Sequence, residues 1–146
     1  MKFEEKGILV LENREDMSDS ALSKINEKDF KKIVLEPDIN EVPGDWFGGF
    51  KNLKCIEMKG VKTVNEGAFY KCNKLEKVIA PNLENLGNSV FLNCSKLNHV
   101  KAPKLKVIGK GAFKGCKNLK NLKIPKETYG KYGEEFKDTK VTGVSK

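Results

Sequence analysis

Histidine is almost missing from this chain: its 146 residues contain one, His99. A single imidazole leaves no Ser-His-Asp or Cys-His pair in register, and the carboxylate clusters Glu15-Asp16-Asp19 and Glu134-Glu135 have no basic residue placed to drive their pKa values apart. No catalytic residue is assigned, and a protein that is not an enzyme is expected. Long apolar runs are missing too. Gly7 to Leu11 spans five residues, against the roughly 20 needed to cross a bilayer. Glu4 and Glu5 precede it where a signal peptide would be basic, so a cytoplasmic chain is expected. Between Asn85 and Lys126 there is neither an acid nor an arginine, while ten lysines fall there. Base-specific readout leans on arginine, which disfavours a specific nucleic-acid site.

What is present is repetition. Val64 to Lys126 reads as VNEGAFYKCNKLEKVIAPNLEN, LGNSVFLNCSKLNHVKAPKLKV and IGKGAFKGCKNLKNLKIPK, a period of 22 residues, with a looser copy, VPGDWFGGFKNLKCIEMKGVKT, before it. A fixed period of this length marks a solenoid whose units stack residue on residue. The inward columns are then Val42, Val64, Leu86 and Ile108; Trp46, Ala68, Val90 and Ala112; Phe47, Phe69, Phe91 and Phe113; and Phe50, Cys72, Cys94 and Cys116. They continue with Leu53, Leu75, Leu97 and Leu119; Ile56, Val78, Val100 and Leu122; and Met58, Ala80, Ala102 and Ile124. Around Val78 and Ala80 the apolar residues alternate at period 2, which predicts one parallel strand per coil. Pro81, Pro103 and Pro125 follow these strands, where a residue without an N–H ends the ladder at no loss. Facing them, GAFYKC, SVFLNC and GAFKGC are too short for helices and predict one helical or 3₁₀ turn each.

The pattern I-G-x-x-A-F-x-x-C-x-x-L-x-x-(V/L)-x-(A/I)-P, best matched by Ile108 to Pro125, resembles the BspA-like, treponemal class of leucine-rich repeats over roughly Phe30 to Lys126. The resemblance implies a leucine-rich repeat coil used for binding or adhesion, in proteins associated with cell surfaces. Two departures stand out. The inward Asn of commoner leucine-rich repeats is replaced by Val61, Leu83 and Leu105, and the first full unit carries Trp46, Phe50 and Lys59 for Ala, Cys and Pro. That unit should pack least regularly.

One domain is expected, with an N-terminal cap at 1–28, repeats at 29–126 and a C-terminal cap at 127–146. Ser18 to Ser20 supply N-caps for a short helix burying Leu22 and Ile25. Phe30, Ile33 and Leu35 repeat the Leu53, Ile56, Met58 spacing one residue out of phase, as a degenerate coil, with Ile8 to Leu11 as a strand before it. Glu127 falls in the Val61 column and stops the stack. Tyr129, Tyr132 and Phe136 then read as a helical turn laid over the last coil, and Val141 and Val144 as an edge strand.

Cys72, Cys94 and Cys116 share one inward column, so they are read as packed free thiols, with the wrong mutual aim for disulfides. Cys55 lies outward. His99 projects away from that column, so no metal site and no cofactor are assigned. Asn93-Cys94-Ser95 is read as structural rather than as a glycosylation site, and GKGAFKG lacks the spacing of a phosphate loop.

Charge and register together suggest where a partner docks. Residues 1–50 hold 7 basic and 12 acidic side chains, a net of −5, and residues 51–146 hold 21 and 8, a net of +13, giving the chain's +8. Such a field favours anionic partners. The outward strand positions are Lys32 and Val34, Cys55 and Glu57, Lys77 and Ile79, His99 and Lys101, Asn121 and Lys123. In a leucine-rich repeat they would line the concave face. Lys32, Lys54, Glu57, Lys77, Ile79, His99, Lys101, Asn121 and Lys123 are the candidate partner-binding residues, for an acidic protein or peptide bound to a monomer. The alternative is a structural solenoid that binds anionic surfaces, phospholipid or nucleic acid, through its lysines.

Overall fold

The computed structural model describes residues 1–4 and 7–144. Among these residues eleven strands form two sheets: β1 (Lys2–Glu4), β2 (Ile8–Leu11), β3 (Lys32–Leu35), β4 (Glu41–Val42), β5 (Cys55–Met58), β6 (Thr63–Val64), β7 (Lys77–Ile79), β8 (Asn85–Leu86), β9 (His99–Lys101), β10 (Val107–Ile108) and β11 (Asn121–Lys123). The larger sheet has the order β1-β2-β3-β5-β7-β9-β11 and is parallel from β2 onward, as one strand per coil requires. Its inward residues Ile33, Ile56, Val78, Val100 and Leu122 are all buried. The residues before the prolines make the last ladder bonds: Ala80 N–H donates to Lys101 O and Ala102 N–H to Lys123 O.

A second parallel sheet, β10-β8-β6-β4, runs along another side of the coil. Each of its strands has two residues and buries one, from Val42 to Ile108. The turn segments between the sheets are not continuous helices. Tyr70 and Cys72 N–H groups bond within their own turn, to Gly67 O and Phe69 O, while Phe69 and Lys71 N–H groups cross to Val90 O and Leu92 O of the next coil. This alternation needs a left-handed residue twice per coil. Asp45, Gly67, Ser89 and Gly111 supply one such column, and Gly49, Lys71, Asn93 and Gly115 the other, at φ between +57° and +81°. Asparagine tolerates that region better than most residues, which accounts for Asn93 without invoking a sugar.

The Phe column is a continuous stack, with ring centroids 5.3, 5.6 and 5.6 Å apart from Phe47 to Phe113 and Phe136 closing it at 5.0 Å. The cysteine column has a polar reason as well as an apolar one. The Cys72, Cys94 and Cys116 thiols donate to the carbonyls of Phe47, Phe69 and Phe91 at 3.2, 3.2 and 3.1 Å. Phe50 occupies this column where no earlier Phe carbonyl of the stack needs a donor. It packs edge-on to Phe47 instead, as Trp46 also does, so the first full unit is the irregular one.

Burial pushes the Cys72 and Cys116 thiols up to about 12 and raises that of Cys94 as well. Because the folded pKa lies above the unfolded value near 9, stability is full below pH 9 and is lost as pH climbs towards 12. A thiol reagent at neutral pH is expected to label half-exposed Cys55 first and the other three only after denaturation. Equal, rapid labelling of all four in folded protein would remove the column from the core.

At the start, β1 pairs antiparallel with β2 and covers that sheet edge. The cap helix is shorter than expected. α1 (Asp19–Leu22) is capped by Ser18 Oγ, which accepts the Ala21 N–H, and the chain then enters a separate 3₁₀ turn at Glu27–Asp29. Leu22 and Ile25 pack against the core only half-buried. At the other end, α2 (Lys126–Lys131) and a 3₁₀ turn at Gly133–Phe136 bring Tyr129 to 5.5 Å from Phe136. Glu127 is exposed, and Thr128 takes the buried place, its hydroxyl donating to Leu105 O. Val141 and Val144 form no strand. The Val141 N–H is taken by the Thr139 hydroxyl rather than by a ladder, while the Lys140 N–H holds the segment to Leu119 O, two residues before β11.

Candidate binding face

The strand register brings the outward residues into two ladders. Lys32, Cys55, Lys77, His99 and Asn121 pair in one, and Val34, Glu57, Ile79, Lys101 and Lys123 in the other. Successive rungs lie about 4.8 Å apart. All the candidate residues except Lys54 belong to these ladders. Lys54 precedes β5 and sits on the rim, beside Lys74, Glu76 and Lys96 in a shallow cleft.

The face divides into two halves of different character. Near the N-terminal end, Lys32 Nζ meets Glu57 Oε1 at 2.8 Å, and Val34, though outward by phase, is buried between its register neighbours Val10 and Glu57. Val34 therefore offers no apolar surface to a partner. The other half holds exposed Lys77 and Lys101 and half-exposed Lys123, His99 and Ile79. Among the described residues no carboxylate lies within ion-pair distance of these three lysines, whereas Lys32, Lys59 and Lys106 are each paired with a glutamate of a neighbouring coil. Partial burial, with Lys77, Lys123 and Lys101 nearby, holds the His99 ring below its ordinary pKa, so it is neutral at pH 7.

Other lysines are tied to the scaffold by asparagines one coil away, which no reading of single columns revealed. Lys74, Lys104 and Lys140 donate to the side chains of Asn52, Asn82 and Asn118, and these amides in turn donate to the carbonyls of Lys28, Lys59 and Ser95. Their spacing of 22 residues was the available signal. Among the described residues, no group of three or more His, Cys, Asp or Glu could hold a metal ion, and no helix is long and apolar enough to cross a membrane.

A family model described as the BspA type leucine rich repeat region matches residues 17–142 in six copies. No curated protein matches the chain. Among solved structures, a leucine rich repeat protein of T. pallidum is similar, with a TM-score of 0.63 and 24% identity over 82% of this chain and 53% of that one. So is a leucine-rich repeat protein from Bacteroides ovatus, with a TM-score of 0.60 and 22% identity over 96% of this chain and 42% of that one. The chain spans about half the length of these structures, and the likeness is one of fold.

Proposed function

The chain belongs to the BspA-type leucine-rich repeat family, and from that footing we propose that it is a non-catalytic interaction module, a monomer that presents the basic half of its larger sheet to an acidic protein or peptide. The family's general role in protein binding supports the class. The acidic partner rests on one observation: Lys77, Lys101 and Lys123 stand together on a rigid ladder with no carboxylate among the described residues to neutralise them, while Lys32, on the other half of the same face, is paired with Glu57. A ligand docking on a pre-ordered sheet loses little entropy to arranging it.

Reversing Lys77, Lys101 and Lys123 to Glu is expected to weaken binding of an acidic peptide by about 2 kcal/mol, roughly thirtyfold. The same reversal of Lys110, Lys114 and Lys117, in the turn segments, should change it little. The fold should be untouched by both, because all six are surface residues. The opposite ranking would move the site to the turns. Equal loss in both variants, with tighter binding to phosphatidylserine vesicles or RNA and steep weakening in salt, would favour the anionic-surface reading instead.

A further inference from the structure

Resting on the docking face proposed above, we infer that its centre is a carboxylate subsite, made by His99 with Lys77, Lys101 and Lys123, that takes up one proton when an acidic side chain enters. His99 occupies the middle rung of the basic half. Lys77 is its register partner on β7, Lys101 lies two residues along the same strand and face, and Lys123 is the register partner of Lys101 on β11. Diagonal neighbours on one sheet face are about 7–8 Å apart, within the span of a lysine side chain. Four nitrogen-bearing groups thus surround one patch of sheet, with Ile79 and Asn121 as its uncharged walls.

On β5, Cys55 is the register partner of Lys77, and Glu57 is held by Lys32 at 2.8 Å. Glu76, whose carbonyl receives the His99 N–H, lies in the rim cleft with Lys54, Lys74 and Lys96. Among the described residues the partly buried imidazole therefore has three ammonium neighbours and no carboxylate partner, which disfavours its charged form. A ligand carboxylate placed among these groups reverses the balance, since an opposite charge a few Å away favours the protonated ring. The proton comes from solvent and goes to a ring nitrogen; the carboxylate keeps its charge and accepts the new N–H. The ring N–H forms as an O–H of hydronium breaks, and no other covalent bond changes.

The sign follows from linkage. The free ring titrates below its ordinary 6.5, and the bound ring titrates higher. Affinity is lowest above the bound-state pKa, rises as pH falls between the two values by up to about tenfold per pH unit, and levels off below the free one. Aspartate carboxylates stay ionised down to about pH 5, so the ligand's own titration leaves this window open.

His99 is the chain's sole histidine, so in untagged protein its ring C–H resonance is unique. Its pH titration would be followed by NMR with and without saturating hexa-aspartate peptide. Peptide affinity would be measured at pH 5.5 and 8 for the parent chain, His99→Gln and the triple reversal of Lys77, Lys101 and Lys123 to Glu. The expected results are a raised ring pKa in the complex, about tenfold tighter binding at pH 5.5, and loss of that pH dependence in His99→Gln. If the peptide binds and the triple reversal weakens it, yet the ring pKa does not move or His99→Gln keeps the full pH dependence, the proton-coupled subsite is wrong and the docking face stands. If the peptide does not bind, or the triple reversal has no effect, both fall.

Discussion

Leu97→Asp is expected to unfold the protein at room temperature, while Asn98→Asp, one residue along, should shift stability by no more than about 0.5 kcal/mol. Leu97 is completely buried in the column of Leu53, Leu75 and Leu119, two residues before β9. Its surroundings are apolar side chains and backbone amides already committed to turn bonds, the Leu97 N–H itself donating to Cys94 O. A carboxylate there finds no partner, and a buried unpaired charge costs several kcal/mol, comparable to the total stability of a small domain, about 5–15 kcal/mol. Asn98 is exposed, and its structural contribution is made by the backbone: its N–H donates to Glu76 O, and its carbonyl accepts from Lys120 and Asn121. Aspartate preserves all three bonds. Urea unfolding followed by circular dichroism separates the two variants, and two equally mild results would mean that the strand phase is off by one residue.

The columns were legible because each repeats one residue class at one period, so that a single ambiguous coil is settled by its neighbours. Features used only once, or carried by one residue per coil, were not. Val42, Val64, Leu86 and Ile108 could be read as inward but not as strands, since two-residue strands show no alternation. Thr128 escapes a reading by columns because Glu127, not Thr128, falls in register, and only the geometry of α2 brings the hydroxyl onto Leu105 O. The glycines of GKGAFKG have an explanation that spacing alone could not supply. A Cβ on Gly109 would lie 2.4 Å from the Gly87 carbonyl carbon, and Gly111 and Gly115 hold φ of +71° and +81°. They serve coil stacking and reversal. On the candidate face the phase of the ladder was readable, but its division was not. Whether a lysine is neutralised depends on what the next coil places diagonally across the ladder: Glu57 for Lys32, but Lys101 for Lys77.

Phe91→Ala is expected to cost about 4 kcal/mol, near the upper range for removing a buried aromatic side chain. Phe91 is fully buried and stacks between Phe69 and Phe113 at 5.6 Å on each side, so its loss opens a cavity bounded by rings above and below. Neither neighbour can close on the gap. Phe69 and Phe113 are held by their own coils, whose backbones are fixed across this segment by Phe69 N–H to Val90 O and Phe91 N–H to Ala112 O, bonds that alanine retains. The ladder that keeps the coils in register therefore keeps the cavity open. In a solenoid, stability is the sum of unit and nearest-neighbour terms, and Phe91 contributes to two interfaces at once. Phe136→Ala, at the end of the stack with Phe113 on one side and Tyr129 of the cap tilted against it, should cost less, because the cap that carries it can settle inward. The two differ in the amount of relaxation available more than in the atoms removed, and paired denaturation midpoints measure that difference. An equal cost at both positions would mean that the end cap is as rigid as the middle of the coil.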